Sequence, residues 1–246
     1  MISVRNLCVR LGGRELLRQV STTLARGEIL GIMGPPEAGK TLTLKAIAGL
    51  VPTSGGEIWA GDMRVDTLDD VGRASWQRRI GMAFQNDALF DALSVFDNVA
   101  FPLRRRRVSA AEVRTRVEAR LLEVGLHDAA AKLPGDLSGG MRKRVGIARA
   151  TVTEPEIALF DEPVLGLDPV SASRILDLVV GLSQSLKTAT IVVSSDLPSL
   201  LPIAHRVLML ARGEKLYDGV PSGLSQADCA EVVRFAAGRN GHASDV

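Results

Sequence analysis

The sequence predicts an α/β fold in which helices cover a mostly parallel sheet. Short apolar runs typical of buried strands recur along the chain, at 28–33, 157–160, 190–193 and 207–210. Helical segments separate them, such as Ser171–Ser185, and alternation of strand and helix produces parallel strands. The first of these runs ends in a glycine-flanked loop that leads into a helical segment, so the loop lies at one edge of the predicted sheet.

The amino-terminal part, from Ile2 to about Gly61, is predicted to form several short strands. Its apolar runs are short and are punctuated by glycines at positions 12–13, 27 and 55–56. Glycines between apolar runs are typical of strand turns. We therefore expect several strands packed around the loop.

The sequence between about Val65 and Leu133 has a helical pattern. Ser109-Ala110-Ala111-Glu112 matches a capping box, and the apolar periodicity that follows it stops at Gly125. We expect one domain over residues 1–236, with a helical subdomain at about 86–150 inserted into the core. Residues 237–246 are expected to form a polar tail.

The loop after the first strand carries the pattern G-x-x-x-x-G-K-[ST]. Its residues are Gly34, Pro35, Pro36, Glu37, Ala38, Gly39, Lys40 and Thr41. Glycines let successive N–H groups point at a phosphate, and the start of the helix adds its positive dipole end. The Lys40 ammonium then reaches the β- and γ-phosphates, and the Thr41 hydroxyl binds Mg²⁺. An ordinary glycine-rich turn is the alternative, but the strand–helix context favours a P-loop core that binds ATP and Mg²⁺.

Two carboxylates follow the apolar run at 157–160. Asp161 and Glu162 come at the carboxyl end of this predicted strand, the edge where α/β proteins bind ligands. Asp161 is placed to hold Mg²⁺, and Glu162 to polarise the attacking water. If Asp161-Glu162-Pro163 is considered alone, an acidic turn at the end of a strand is the alternative interpretation. The phosphate loop upstream favours the catalytic interpretation.

The order of motifs along the chain resembles that of ABC transporter ATPases. The motifs are a Walker A loop at Gly34–Thr41, a Q-loop at Gln85, a signature at Leu137–Met141, a Walker B strand at Ile157–Glu162 and a D-loop at Gly166–Asp168. The resemblance covers nearly the whole chain. It implies the ABC ATPase fold, which combines a P-loop core with a mostly parallel sheet, an amino-terminal antiparallel β subdomain and a helical insert.

The resemblance also implies that two such subunits pair head to tail around two ATP molecules, here most simply as a homodimer. In that arrangement Ser138, Gly139 and Gly140 of the signature contact nucleotide bound to the other subunit. Gln85 joins Thr41 in the Mg²⁺ shell and takes part in catalysis. ATP closes the pair and hydrolysis opens it, which is a ligand-driven population shift.

Several positions depart from the family pattern. Ser195 stands where relatives have a histidine that contacts the γ-phosphate, and it keeps one hydroxyl donor but no positive charge. Leu11 occupies the place of the aromatic residue that stacks on adenine. Leu42 and Leu165 replace a hydroxyl residue and a small residue, respectively. These departures predict weak nucleotide binding or slow hydrolysis, so a regulatory subunit with little hydrolysis remains an alternative to an active ATPase.

The segment from Gln85 to Arg104 and the run Leu137–Arg144 resemble the corresponding parts of ATPases from Mla/Mce lipid transporters. The resemblance implies a permease partner that docks on Gln85–Arg104, an Mce-type lipid-binding protein in the same complex, and a place on the cytosolic face of the inner membrane. An importer of another cargo remains open. Cargo and direction of transport are not encoded in these motifs.

The amino-acid composition and the net charge are not extreme, so they exclude few classes of function. The formal net charge of +2 over 246 residues gives no indication of nucleic acid as a partner. The widely spaced Cys8 and Cys229 are expected to be reduced in a cytosolic protein. Two basic runs each have two open interpretations. The run Arg104–Arg107 is either a solvated segment kept extended by its own repulsion or a contact with acidic groups. The run Arg142–Arg144 is either a solvated helix face or a source of positive potential near phosphate.

Overall fold

The computed structural model describes residues 1–238 and arranges them in two sheets with flanking helices. The strands are β1 Ile2–Leu11, β2 Arg14–Leu24, β3 Ile29–Met33, β4 Gly55–Ala60, β5 Met63–Arg64, β6 Ile80–Ala83, β7 Ile157–Asp161, β8 Ala189–Val193, β9 Arg206–Ala211 and β10 Glu214–Gly219. The helices are α1 Lys40–Ile47, α2 Asp70–Arg78, α3 Val95–Arg105, α4 Ala110–Glu123, α5 Gly139–Thr151, α6 Pro169–Leu186, α7 Leu197–Leu200 and α8 Ala230–Ala236. Of the expected polar tail, Ala237 and Gly238 form a turn, and the remainder lies outside the described residues.

The first sheet is antiparallel, with strand order β2-β1-β4-β5. In its strands β1 and β2 the buried residues are mainly apolar and the exposed residues mainly polar, as expected for a sheet with one face against a core, although register shifts interrupt strict alternation. A backbone hydrogen bond of 2.8 Å from Arg18 to the carbonyl of Gly213 ties β2 to the start of β10. The expected amino-terminal antiparallel β subdomain is therefore confirmed.

The second sheet carries the phosphate loop and is mostly parallel, as expected. Its strand order is β10-β9-β3-β8-β7-β6, and only the β9–β10 pair is antiparallel. The central strands β3, β7 and β8 are buried at every position. This follows from apolar packing on both faces, where one core cluster contains Leu30 and Ile191 and the other contains Ile29 and Val192.

The expectation of a helical segment between about Val65 and Leu133 is wrong at β6, Ile80–Ala83. This strand pairs in parallel with β7 and forms the edge of the second sheet. It spans only four residues, Ile-Gly-Met-Ala, and none of them is polar, so the sequence shows no apolar–polar alternation that would reveal it. A side chain at Gly81 would place its Cβ 1.9 Å from the carbonyl oxygen of Ala150, which shows how closely β6 approaches α5.

Helices α3, α4 and α5 share a separate apolar cluster that includes Val99, Val117 and Val145. Ser109 caps α4 as expected, because its hydroxyl accepts a hydrogen bond of 3.3 Å from the Glu112 backbone N–H. The reciprocal half of the capping box is replaced by an ion pair of 3.3 Å between Glu112 and Arg116. A salt bridge one helical turn away competes for the same carboxylate.

The run Arg104–Arg107 is not an extended segment. Arg104 and Arg105 end α3, and Arg104 pairs with Asp97 at 2.8 Å. Arg106 donates hydrogen bonds to the backbone carbonyls of Arg78 and Thr153. The like charges are tolerated because helix carbonyls and a nearby carboxylate offset their repulsion.

Among residues 1–238, no helix combines the length and apolar character needed to cross a membrane. Cys8 and Cys229 are both free thiols and half-buried.

Candidate functional site

The phosphate loop lies between the end of β3 at Met33 and the start of α1 at Lys40. Gly34, Glu37 and Gly39 have positive φ values of 143°, 61° and 98°. A Cβ at Gly34 would lie 2.0 Å from the carbonyl oxygen of Leu210, so only glycine fits there. Within the loop Ala38 is buried, whereas the Pro36 and Glu37 side chains are exposed.

The start of α1 is suited to an anion. Gly39 is its N-cap, no side chain caps the helix, and no acidic residue lies in its first turn. The exposed N–H groups and the positive end of the helix dipole together favour phosphate. Both sheets support this loop: a Cβ on Gly39 would lie 2.4 Å from Cδ2 of Leu17 in β2, and the N–H of Gly213, between β9 and β10, donates to the Ala38 carbonyl at 3.3 Å.

The Lys40 ammonium lies inside the loop, with 7% of the residue exposed. Its Nζ donates hydrogen bonds to the carbonyls of Gly34 at 2.8 Å and Pro35 at 3.0 Å. Burial lowers the pKa of Lys40, and the charges of Glu162 and Asp161 oppose this shift. A buried cation that is satisfied only by neutral carbonyls gains strongly from an anionic phosphate.

Thr41 and Asp161 meet directly, although they are far apart in sequence. The Thr41 hydroxyl donates a hydrogen bond of 2.9 Å to Oδ1 of Asp161 at the end of β7. Asp161 is 3% exposed, and burial raises its pKa above the usual value, opposed by the hydrogen bond from Thr41. A hydroxyl and a carboxylate oxygen at this distance match the hard oxygen ligands that Mg²⁺ prefers.

Glu162 follows β7 in a left-handed conformation with φ of 48°, and its N–H donates to the Val193 carbonyl at 2.9 Å. Its carboxylate contacts Ser195, which donates from its backbone N–H at 3.0 Å and from its hydroxyl at 2.5 Å. Glu162 is 6% exposed. The structure thus brings two of the predicted catalytic residues together.

Other predicted site residues are not joined to this cluster by hydrogen bonds among the described residues. Gln85 is exposed, and its carbonyl accepts a hydrogen bond of 2.6 Å from Lys143. Ser138 caps α5 through a hydrogen bond of 3.3 Å from the Met141 N–H, and Gly139 and Gly140 form the first turn. Leu11 ends β1 and is 39% exposed. The roles of these residues toward nucleotide remain predictions.

The basic residues of α5 hold neighbouring loops in place. Neither of the two sequence-based interpretations of the run Arg142–Arg144 predicts this role. Lys143 pairs with Asp87 at 3.1 Å, in addition to its bond to the Gln85 carbonyl. Arg149 donates to the carbonyls of Asp87 and Ala88, each at 2.7 Å. Asp87 and Ala88 both have positive φ, so these contacts fix an unusual backbone. Lys143 and Arg149 donate mostly to backbone carbonyls, and no sequence pattern identifies such acceptors.

Arg142 and Arg144 also donate to backbone carbonyls, those of Leu137 and of Val124 and Gly125. Both arginines are half-buried. The run Arg142–Arg144 therefore connects α5 to the residues before it and to the end of α4, and it is not a freely solvated helix face.

Comparison with known proteins shows which family this chain resembles. The family model described as ABC transporter matches residues 17–165. The chain is 37% identical to the intermembrane phospholipid transport system ATP-binding protein MlaF of Haemophilus influenzae, over 98% of this chain and 91% of that protein. It is 36% identical to the methionine import ATP-binding protein MetN of Carboxydothermus hydrogenoformans, over 89% of this chain and 66% of that protein.

Among solved structures, the dimeric post-hydrolysis state of the ATP-binding cassette MJ0796 bound to ADP and Pi superposes with a TM-score of 0.82. The two chains are 29% identical, and the match covers 90% of this chain and 99% of the other. The family match spans more than half of the chain, and these relatives align with nearly all of it. The chain therefore belongs to the ABC transporter family and is an ATP-binding, ATP-hydrolysing subunit of that family.

Proposed function

We propose that this ATPase energises a membrane permease that moves phospholipid or another lipid between bacterial membranes. The observation that carries this proposal is the 37% identity to MlaF over 98% of the chain. In the proposed complex the subunit lies on the cytosolic face of the inner membrane, beside its permease and an Mce-type lipid-binding protein. ATP hydrolysis on this chain would supply the free energy for lipid movement.

The proposed catalytic unit is a homodimer with Mg²⁺ at each site. The hydroxyl of Thr41 and the carboxylate of Asp161 would hold the ion, with Gln85 completing its shell from the Q-loop. Ser138 and Gly140 of one copy would contact the nucleotide held by Lys40 of the other. The dimeric state of the MJ0796 cassette supports this pairing. Bound Mg²⁺ would neutralise charge that develops on the phosphate oxygens.

A cleft of about 720 Å³ between α2, β6, α3 and α5 supports the proposed permease contact. Its apolar part includes Phe90 and Phe101, whose ring centroids are 4.6 Å apart. The guanidinium of Arg149 lies 5.6 Å from the centroid of Phe90. Further basic residues line the cleft, namely Arg78, Arg105 and Arg106. Aromatic and arginine side chains of this kind favour a partner helix with apolar and acidic residues.

Reconstitution with the permease in proteoliposomes tests the cargo. Vesicles that contain the full-length chain should move labelled phospholipid in the presence of ATP, and vesicles with Lys40→Ala should not.

A co-purification experiment tests docking in the cleft. Phe90→Asp should abolish co-purification with the permease and leave the basal ATPase rate unchanged. The matched control is Leu122→Asp, at a residue on α4 that is 64% exposed and outside the cleft. Equal co-purification of both variants would contradict docking in the cleft.

A second candidate is an importer of a small polar cargo. The identity of 36% to MetN over 89% of the chain favours it. The same vesicles, tested with labelled methionine, separate the two functions. ATP-dependent methionine uptake without phospholipid movement would favour the second candidate over the first.

A further inference from the structure

The carboxylate of Glu162 is held by a single residue through both of its oxygens. The Ser195 hydroxyl donates to Oε1 at 2.5 Å, and the Ser195 backbone N–H donates to Oε2 at 3.0 Å. Two donors from one residue fix both the position and the plane of a carboxylate. Only the bond from the hydroxyl depends on the side chain at position 195, because every residue except proline has a backbone N–H.

Neighbouring strands bring the two residues together. Glu162 directly follows β7 and Ser195 lies two residues beyond β8, and these parallel strands place Asp161 opposite Val193. The Glu162 N–H donates to the Val193 carbonyl at 2.9 Å, and this holds Glu162 in its left-handed conformation. The backbone of Glu162 is thus attached to the strand that carries its partner.

The turn that carries Ser195 is itself fixed on both sides. The N–H of Ser194 donates to the Ile32 carbonyl at 3.2 Å, at the end of β3. The Ser194 hydroxyl, which is buried, accepts a hydrogen bond of 3.1 Å from the Asp196 N–H. Ser195 therefore approaches Glu162 from a rigid support.

A serine hydroxyl has one hydrogen to donate. In this geometry that hydrogen is directed to Glu162, so the same hydroxyl does not donate to a phosphate oxygen at the same time. We propose that Ser195 is a positioning residue that orients the Glu162 carboxylate toward the attacking water, rather than a residue that contacts the γ-phosphate. A general base must be aimed at the proton it removes, and a glutamate with three rotatable side-chain bonds requires such a constraint.

Steady-state kinetics of the purified full-length chain test this proposal. Ser195→Ala removes the hydroxyl bond to Oε1 and should lower kcat roughly ten-fold, with KM for ATP unchanged, since hydrogen bonds to charged groups contribute about that factor. Ser195→Thr keeps a hydroxyl and should restore most of the rate. The matched control is Ser199→Ala on α7, which removes a hydroxyl bond of 2.6 Å to Asp196 and should leave kcat unchanged. An unchanged or raised kcat in Ser195→Ala would overturn the proposal.

Calorimetric titrations separate the proposed role from a phosphate contact. Glu162→Gln provides a slow background in which the affinities for ATP and ADP can both be measured. In that background Ser195→Ala should change neither affinity by more than about two-fold. Selective weakening of ATP binding, with ADP binding intact, would assign Ser195 to the γ-phosphate and refute the positioning role. These measurements need no permease or cargo, so their result is independent of the proposed lipid function.

Discussion

Replacing Gly34 by alanine tests how closely the phosphate loop is built against β9. Gly34 has a φ of 143°, and a Cβ there would lie 2.0 Å from the carbonyl oxygen of Leu210. Carbon–oxygen contacts are normally about 3.3–3.6 Å, so one of the two backbones must move by roughly 1 Å or more. Because the Gly34 carbonyl accepts a hydrogen bond of 2.8 Å from Lys40, that movement also displaces the ammonium that binds phosphate.

Two costs add in this variant. Forcing a residue with a side chain into a sparsely populated backbone region costs about 1–3 kcal/mol. Relieving the steric overlap in a well-packed region costs about 1–3 kcal/mol more. We therefore expect Gly34→Ala to lower the free energy of unfolding by roughly 2–6 kcal/mol, a large part of the total for a domain. A displaced Lys40 should lose a charge-assisted hydrogen bond to phosphate, and this should weaken ATP binding by roughly 10- to 100-fold.

Denaturant unfolding and calorimetric titration with ATP measure these two effects. The matched control is Gly61→Ala, because Gly61 also has a positive φ of 62° but a Cβ there meets nothing within 4 Å. The control should lose about 1 kcal/mol of stability and none of its affinity for ATP. Equal losses of stability and affinity in the two variants would refute the steric argument for the loop.

Three further predictions concern the carboxylates and Ser195. Ser195→His exchanges the hydroxyl bond to Glu162 for an imidazole donor of longer reach; because a charge-stabilising donor contributes roughly 100-fold and the lost hydroxyl bond costs roughly ten-fold, kcat should rise by about ten-fold in a steady-state ATPase assay, and an unchanged or lower rate would count against this. Burial raises the pKa of Asp161 above 3.8, so the ionised carboxylate destabilises the nucleotide-free fold increasingly as pH rises above that value, and Asp161→Asn should give a gain in Tm that is larger at neutral pH than at pH values below 3.8. A gain that is independent of pH would contradict the burial argument. Glu162→Gln should reduce ATP hydrolysis to near background, and equal rates of variant and wild type would instead favour a subunit without useful hydrolysis.

The sequence was sufficient to predict the parts of the fold that depend on local pattern. The phosphate loop is recognisable because Gly34 and Gly39 occupy positions where the backbone requires glycine, and the following helix needs no other cap. Strands β7, β8 and β9 were predicted within one residue at each end because they are buried runs of apolar residues. Asp161 and Glu162 follow from their place at the end of such a strand.

Contacts between residues distant in sequence were not predictable in this way. The packing of Leu17 against Gly39 joins two sheets, and nothing near either residue indicates the other. Lys143 and Arg149 bind the segment after Gln85 mainly through backbone carbonyls, which are present at every position and therefore carry no sequence signal. The same applies to β6, whose pairing with β7 is decided by tertiary packing rather than by its own short sequence.

The central claim is that Lys40 and the surrounding loop bind the triphosphate. Calorimetric titration of Lys40→Ala with Mg²⁺-ATP tests it most directly, with Lys132→Ala, an exposed lysine outside the site, as the control. We expect the control to bind as the wild type does and Lys40→Ala to lose binding by roughly 100-fold or more, since a buried charge-assisted contact is removed. A Lys40→Ala variant that is folded and binds Mg²⁺-ATP with unaltered affinity would contradict the claim.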